Sequence, residues 1–290
     1  MSKATSQYMR RNYALVIAAG ICFGTTGTTQ ALGPDGISSL SIGSARLIVG
    51  ALFLFLYVKL TKIKSAPVPK ISLWLSAIGI LSYQLTFFSA VKQTGVAIGT
   101  VTALGSVPAL TGLLDYLIYR QKATKRWYIA TIITTSGIII LGTANGVADF
   151  DLGGFILAII AGASFGLLAV TSKRALTPGV DSTYTMYKVF SLAALLSIPV
   201  LLINGFDWLA TTGGAAMIIW LGLIPTALAY ILYAKGLQGV KPGVASTLIL
   251  AEPATATILA AVVLNESINL QGWTGIATVA IGLAYLSREG

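Results

Sequence analysis

The chain has 290 residues and a net charge of +10, with 56% of its residues hydrophobic and only 10% charged; its mean hydropathy is +0.84. A water-soluble domain keeps about a quarter of its residues charged, so these values exclude a soluble fold and make the bilayer the solvent for most of the surface. One cysteine and no histidine exclude an internal disulfide framework and the commonest metal ligand and general base, while basic residues confined to short connectors exclude a nucleic-acid face.

Apolar stretches of about 20 residues, long enough to cross a hydrocarbon core, are predicted over 12–32, 38–58, 71–91, 95–119, 127–148, 152–172, 182–203, 213–234, 243–264 and 270–287. The first follows Lys3, Arg10 and Arg11 and contains the small residues Ala18, Ala19 and Gly20, a loose likeness to a cleaved leader. Ile21 before Cys22 does not suit a lipoprotein site, and further apolar segments follow, so this stretch is expected to be the first transmembrane helix. Span 2 contains Arg46. Span 3 carries Tyr83, Gln84, Phe87 and Phe88, with Tyr83 and Phe87 one turn apart on a shared face. Span 4 holds Pro108 and, near its end, Asp115, expected to pair with Arg120 at the interface. Span 7 contains Lys188, span 8 Trp220, Tyr230 and Tyr233, and span 9 the Glu252-Pro253 pair. Trp74, Trp127 and Trp208 suit an interfacial aromatic belt. The connectors carry turn residues, among them Gly33-Pro34-Asp35-Gly36, Pro67, Pro69, Pro178-Gly179, Asn204-Gly205 and Pro242-Gly243.

The cations orient the spans. With both termini placed in the cytoplasm, every Lys and Arg outside the spans lies on the inner side except Lys92, while Asp35, Asp149, Asp151, Asp207 and Glu266 lie outside. Removing one span would scramble this asymmetry. It therefore supports both the ten spans and the orientation.

The chain also repeats itself. Ala19-Gly20-Ile21-Cys22-Phe23-Gly24 in span 1 matches Ala161-Gly162-Ala163-Ser164-Phe165-Gly166 in span 6, and Ala31-Leu32-Gly33-Pro34 matches Ala175-Leu176-Thr177-Pro178. Gly105-Ser106-Val107-Pro108 in span 4 corresponds to Leu250-Ala251-Glu252-Pro253 in span 9, Arg46 to Lys188, and Tyr83 to Tyr230. The offset is nearly constant, as a duplication requires. Five spans per unit make the second unit enter the membrane from the opposite side. The expected architecture is thus an all-α membrane protein of ten transmembrane helices, built as two inverted five-helix units over 1–148 and 149–290. Such inversion makes alternating access simple to build and points to a secondary transporter.

These features together resemble the drug/metabolite transporter superfamily, in its EamA-type ten-helix branch, over essentially the whole chain. The motif of spans 1 and 6, the prolines of spans 4 and 9, and Leu264-Asn265-Glu266-Ser267 before the last span carry the resemblance. The first unit departs from it by holding Arg120-Gln121-Lys122 where the second holds an acidic residue. The resemblance leans towards bacterial inner-membrane exporters of amino acids and aromatic metabolites, and it implies a central cavity lined by spans 1, 3, 4, 6, 8 and 9. From those spans the candidate lining residues are Phe23, Thr25, Tyr83, Phe87, Thr102, Pro108, Phe165, Tyr230, Thr247, Glu252 and Pro253.

Pro108 and Pro253 remove a backbone donor and are expected to kink their helices, either to form a midplane site or simply to pack. Gly20, Gly24, Gly27, Gly162 and Gly166 permit close crossings, for packing or for sliding. Thr25, Thr26, Thr28 and Thr29 offer hydroxyls to a substrate or to their own helix. Arg46 and Lys188 lie about two turns from opposite surfaces, within reach of snorkelling. Glu252 lies mid-span and has three open readings: a proton-coupling group, a partner for a substrate ammonium, or a structural ion pair.

The expected function is export of amino acids or similar small metabolites. Multidrug cations and phosphorylated metabolites are the alternatives, with a channel behind them. The expected partners are that small molecule, the lipid bilayer and protons, with the bundle complete as a monomer or assembled as a homo-oligomer. Without His-Glu-x-x-His, paired aspartates in the spans or a Gly-x-x-x-x-Gly-Lys-Ser/Thr loop, neither an enzyme nor direct ATP use is expected, nor any metal or cofactor.

Overall fold

The computed structural model describes residues 3–120, 122–144, 151–176 and 179–288, and among these the chain is all-helical. The helices are α1 Lys3–Ala31, α2 Ser39–Leu60, α3 Lys70–Tyr119, α4 Lys125–Gly142, α5 Leu152–Ala175, α6 Ser182–Asn204, α7 Thr212–Gly222, α8 Ala229–Gly239, α9 Pro242–Leu248, α10 Ala251–Val263 and α11 Leu270–Ser287. A 3₁₀ turn at Asp207–Ala210 precedes α7, and a π-helical segment at Leu223–Leu228 joins α7 to α8. Among the described residues, eight helices are long and apolar enough to cross a membrane: Gln7–Ala31, Ser39–Leu60, Lys70–Gly95, Ile98–Tyr119, Leu152–Ala175, Ser182–Asn204, Thr212–Gly239 and Pro242–Val263. The chain is a multi-pass integral membrane protein.

The remaining two helices, α4 and α11, have 18 residues each and pack against one another. A methyl group on Gly275 would lie 2.8 Å from the Leu141 nitrogen, and one on Gly137 2.7 Å from that of Val279. The end of the predicted fifth span (145–148), Asp149, Gln121, Thr177 and Pro178 lie outside the described residues. The first helix starts earlier than predicted, at Lys3 rather than residue 12.

Helix starts follow side-chain chemistry. In hydrocarbon each backbone polar group needs a partner, and the free N–H groups at helix starts take oxygens from their caps. Asp151 accepts from Gly154 N at 2.6 Å, Asp181 from Thr183 N at 2.7 Å, and Asn269 from Gly272 N at 2.8 Å. Between the two limbs of α3, Gly95 adopts φ 79°, ψ 163°, a region essentially closed to residues with a Cβ. One glycine therefore makes the whole connection between the limbs.

α5 lies against both limbs of α3: Ser76–Thr171 (2.8 Å) and Ser82–Ser164 (2.9 Å) hydroxyl pairs join it to the first, and a methyl on Gly166 would lie 3.2 Å from Thr111 N in the second. α2 pairs with α6, where Ser38 donates to Asn204 Oδ1 at 3.1 Å. α1 packs against α8 and α10. At one end of the bundle Lys173 Nζ donates to the carbonyls of Leu237 (2.7 Å) and Gln238 (2.9 Å), the last turn of α8. Hydrogen bonds from charged donors are worth about 1.5–3 kcal/mol each. Lys173→Met is expected to lower stability by about 2 kcal/mol, read as an earlier midpoint of denaturant unfolding in detergent.

Two expectations about single residues change. Trp127 does not sit in an interfacial belt: it is 5% exposed and its Nε1 donates to Gly243 O at 2.8 Å, fixing the start of α9. Asp115 faces Lys241, Lys173 and the Gly243 backbone rather than Arg120, because the α3 limb ends beside the α8–α9 connection. Trp74 is 49% exposed.

Candidate functional site

A vestibule of about 620 Å³ opens at the end of the bundle where Glu266, Ser267 and Asn269 lie, and runs inward between α1, α3, α4 and α10 past Thr26, Gly27, Phe87, Phe88, Pro253 and Ala256. It narrows into a second space of about 40 Å³ lined by Phe23, Thr26, Arg46, Tyr83, Gln84, Phe87, Phe88, Phe165, Tyr230 and Glu252. The two spaces share Phe23, Thr26, Phe87, Phe88 and Glu252. Beyond the small space, packed aromatics close the bundle. Tyr83 stacks on Phe87 (5.5 Å) and meets Phe165 edge-on (5.4 Å), Tyr230 meets Phe23 (5.0 Å) and Phe190 (4.5 Å), and Tyr233 lies fully buried below. Such edge and offset pairs add about 0.5–1.5 kcal/mol each beyond their burial.

Glu252 reaches this space because its helix is broken. Pro253 has no N–H for the Ile249 carbonyl, which instead accepts from Glu252 N at 2.8 Å, and the chain turns at Ile249 and Leu250 between α9 and α10. α1 comes close at that point. A methyl on Gly20 would lie 2.9 Å from Ile249 O, and one on Gly24 2.8 Å from Glu252 O. Pro108, expected to interrupt its helix equivalently, lies instead inside a limb of α3 that stays helical.

Arg46 is 7% exposed and does not snorkel. Its Nη2 donates to Pro225 O at 2.9 Å and its Nε to Thr226 Oγ1 at 3.2 Å. Those acceptors stand in the π-helical segment. Pro225 leaves the Leu221 carbonyl without an N–H, and Thr226 Oγ1 donates to it at 2.7 Å. Arg46 and Glu252 are the charged residues lining the small space, within electrostatic reach of each other.

Of the residues expected at the site, Phe23, Tyr83, Phe87, Phe165, Tyr230, Glu252 and Arg46 gather around the small space, and Pro253 lines the vestibule. The other five lie elsewhere. Thr25 donates to the Cys22 carbonyl at 2.8 Å and accepts from Trp220, which is 47% exposed, and Thr26 takes its place. Thr102 and Pro108 lie outside the lining, since the α3 limb presents Thr100 and Val101 instead. Thr247 is buried against Thr131 (3.0 Å). Lys188, half-buried on α6, also stays outside the lining. Thr226 and Pro225 were missed, although a proline within span 8 marked a helix distortion. Among the described residues no cluster of three His, Cys, Asp or Glu side chains could hold a metal ion.

The model of the EamA-like transporter family matches residues 10–143 and 152–288. An uncharacterized transporter of Bacillus subtilis (strain 168), YwfM, is 36% identical over 275 residues, covering 94% of this chain and 92% of its own. A second from the same organism, YetK, is 25% identical over 216 residues, covering 71% and 64%. A solved crystal structure superposes with a TM-score of 0.83 at 16% identity, covering 96% of this chain and 98% of that one, and so shares the fold.

Proposed function

Since the chain belongs to the EamA-like transporter family, we propose that it is a secondary transporter of the bacterial cytoplasmic membrane that exports amino acids or similar small metabolites by alternating access. The proposed frame has ten membrane-spanning helices, with α4 and α11 joining the eight longer ones, both termini in the cytoplasm, and two inverted units over 1–148 and 149–290. Equivalent glycine contacts support the repeat. Gly20 and Gly24 close on the Ile249–Glu252 break, while a methyl on Gly162 would lie 3.0 Å from Ala103 O and one on Gly166 3.2 Å from Thr111 N, near Pro108. Inverted units of this kind let one conformational exchange turn an outward-facing cavity inward.

The observation that carries the reading is the vestibule itself: open at one end, sealed by aromatics at the other, and ending on Arg46 and Glu252. With the cations of the connectors on the cytoplasmic side, the open end faces outward. A single lining arginine gives little purchase to a phosphorylated metabolite, which favours the amino-acid class. Purified protein in liposomes is expected to take up neutral or aromatic amino acids saturably, tested with a labelled panel under imposed pH gradients. Flux that does not saturate would indicate a channel. Uptake of cationic drugs alone would move the substrate to that class.

A further inference from the structure

Deepening the transporter reading, and resting on it for the direction of movement, we infer that the small space is a headgroup site for a zwitterion: an α-amino acid with its carboxylate on Arg46 and its ammonium on Glu252. Thr226 and the Pro225 carbonyl act as positioning groups for the guanidinium.

The proton inventory fixes the first half. A guanidinium has five N–H donors, and a threonine hydroxyl has one proton to give. Thr226 gives that proton to the Leu221 carbonyl, so toward Arg46 Nε it can only accept. Arg46 thus spends one donor on Thr226 and one on Pro225 O, and both acceptors are neutral. Three donors and the whole positive charge remain, beside a space that Arg46 lines. A planar carboxylate matches such a fork. The holder is rigid because α2 presses on the π-helical segment: a methyl on Gly50 would lie 2.9 Å from Thr226 Cβ, and one on Gly222 2.9 Å from Val49 Cβ.

The second half follows from Glu252, whose carboxylate has no hydrogen-bond partner among the described residues and faces the same space. A carboxylate at membrane depth requires a cation or water, and an ammonium brings three donors. Size agrees with the charges. A water needs about 10–15 Å³ on this measure, so about 40 Å³ holds an α-carbon with its two charged groups and little more. The side chain must then extend into the vestibule past Phe23, Phe87 and Phe88, which line both spaces and favour an apolar or aromatic group.

The first comparison is of ligands on the intact protein and needs no variant to fold. Phenylalanine is set against phenylalaninamide, which lacks the carboxylate, and 3-phenylpropionate, which lacks the ammonium. Two readouts are used: thermal stabilisation of the detergent-solubilised protein, and competition with labelled phenylalanine counterflow in liposomes. Phenylalanine is expected to be at least about tenfold stronger than either analogue, as the loss of one charged hydrogen-bonded contact implies. Arg46→Gln is expected to erase the preference for the acid over the amide while leaving that for the amine. Thr226→Val is expected to raise KM about fivefold at similar kcat and to weaken the same preference, with Thr226→Ser restoring both; a purely structural role would leave the preference intact. Equal potency of the three compounds, or no effect of phenylalanine on either readout, overturns the inference. If no solute crosses the liposome but phenylalanine stabilises the protein with the stated preference, transport falls and the headgroup site stands.

Discussion

Glu252→Gln is expected to reduce amino-acid flux in liposomes at least about tenfold, with little change in thermal unfolding. Glutamine keeps the shape of the side chain and its place beside the Ile249–Leu250 turn, and it removes only the charge. A hydrogen bond to a charged group contributes about 1.5–3 kcal/mol, or about 10- to 150-fold in an equilibrium constant. Because the carboxylate makes no hydrogen bond to a described residue and faces the small space, the fold loses only its longer-range attraction to Arg46. The kind of loss separates the readings of this residue. If Glu252 carries the coupling proton, the variant loses its response to an imposed pH gradient while exchange of substrate across the bilayer continues; if it holds the ammonium, exchange falls as well. An unchanged pH profile sinks the coupling reading, and flux within twofold of wild type sinks both.

Gly24→Ala and Gly27→Ala are expected to have opposite outcomes, although they lie on one helix and add the same methyl group. At Gly24 the new carbon would stand 2.7 Å from Thr255 Cβ and 2.8 Å from Glu252 O. A backbone oxygen cannot swing aside, so α1 and α10 must separate, and overpacking of this kind costs about 1–3 kcal/mol. The displaced group is the Glu252 peptide, so flux should fall with the unfolding midpoint. At Gly27 the methyl meets nothing within 4 Å, and a helical alanine gains up to about 1 kcal/mol over glycine. Unfolding midpoints and counterflow rates measured side by side decide the matter. Matching behaviour of the two variants would mean that the contact between α1 and the α9–α10 break does not set the position of Glu252.

The eight long helices were legible as spans because hydrocarbon leaves a chain few choices: a helix satisfies its own backbone, and its length is set by bilayer thickness. Predicted and observed bounds agree within a residue or two for α2, α6 and α11. The shared face of Tyr83 and Phe87 followed from helical period alone and is seen as a 5.5 Å stack. Phase was harder. Thr25 and Thr26 differ by one residue, hence by about 100° around the helix, and only the packing of α1 against α8 and α10 decides which of them meets the cavity. Arg46 was readable as an intramembrane cation, but its acceptors were not, because they lie far along the chain at Pro225 and Thr226. The two prolines show the same limit. Pro253 breaks its helix where α1 presses on Ile249, and Pro108 does not break its own. Nothing within a few residues of either proline distinguishes these outcomes.

The glycine hinge between the two limbs of α3 has a mechanical consequence. With Gly95 as the only link, the limbs are sewn together at the mouth of the vestibule, where Val91, Thr100 and Val101 form part of its wall. A pair of rods tied at one tip can scissor only at the other. This pair must therefore keep a constant separation beside Gly95, and any parting must take place towards Lys70 and Tyr119. Spin labels placed at the two ends would register that as a fixed distance at one and a variable distance at the other.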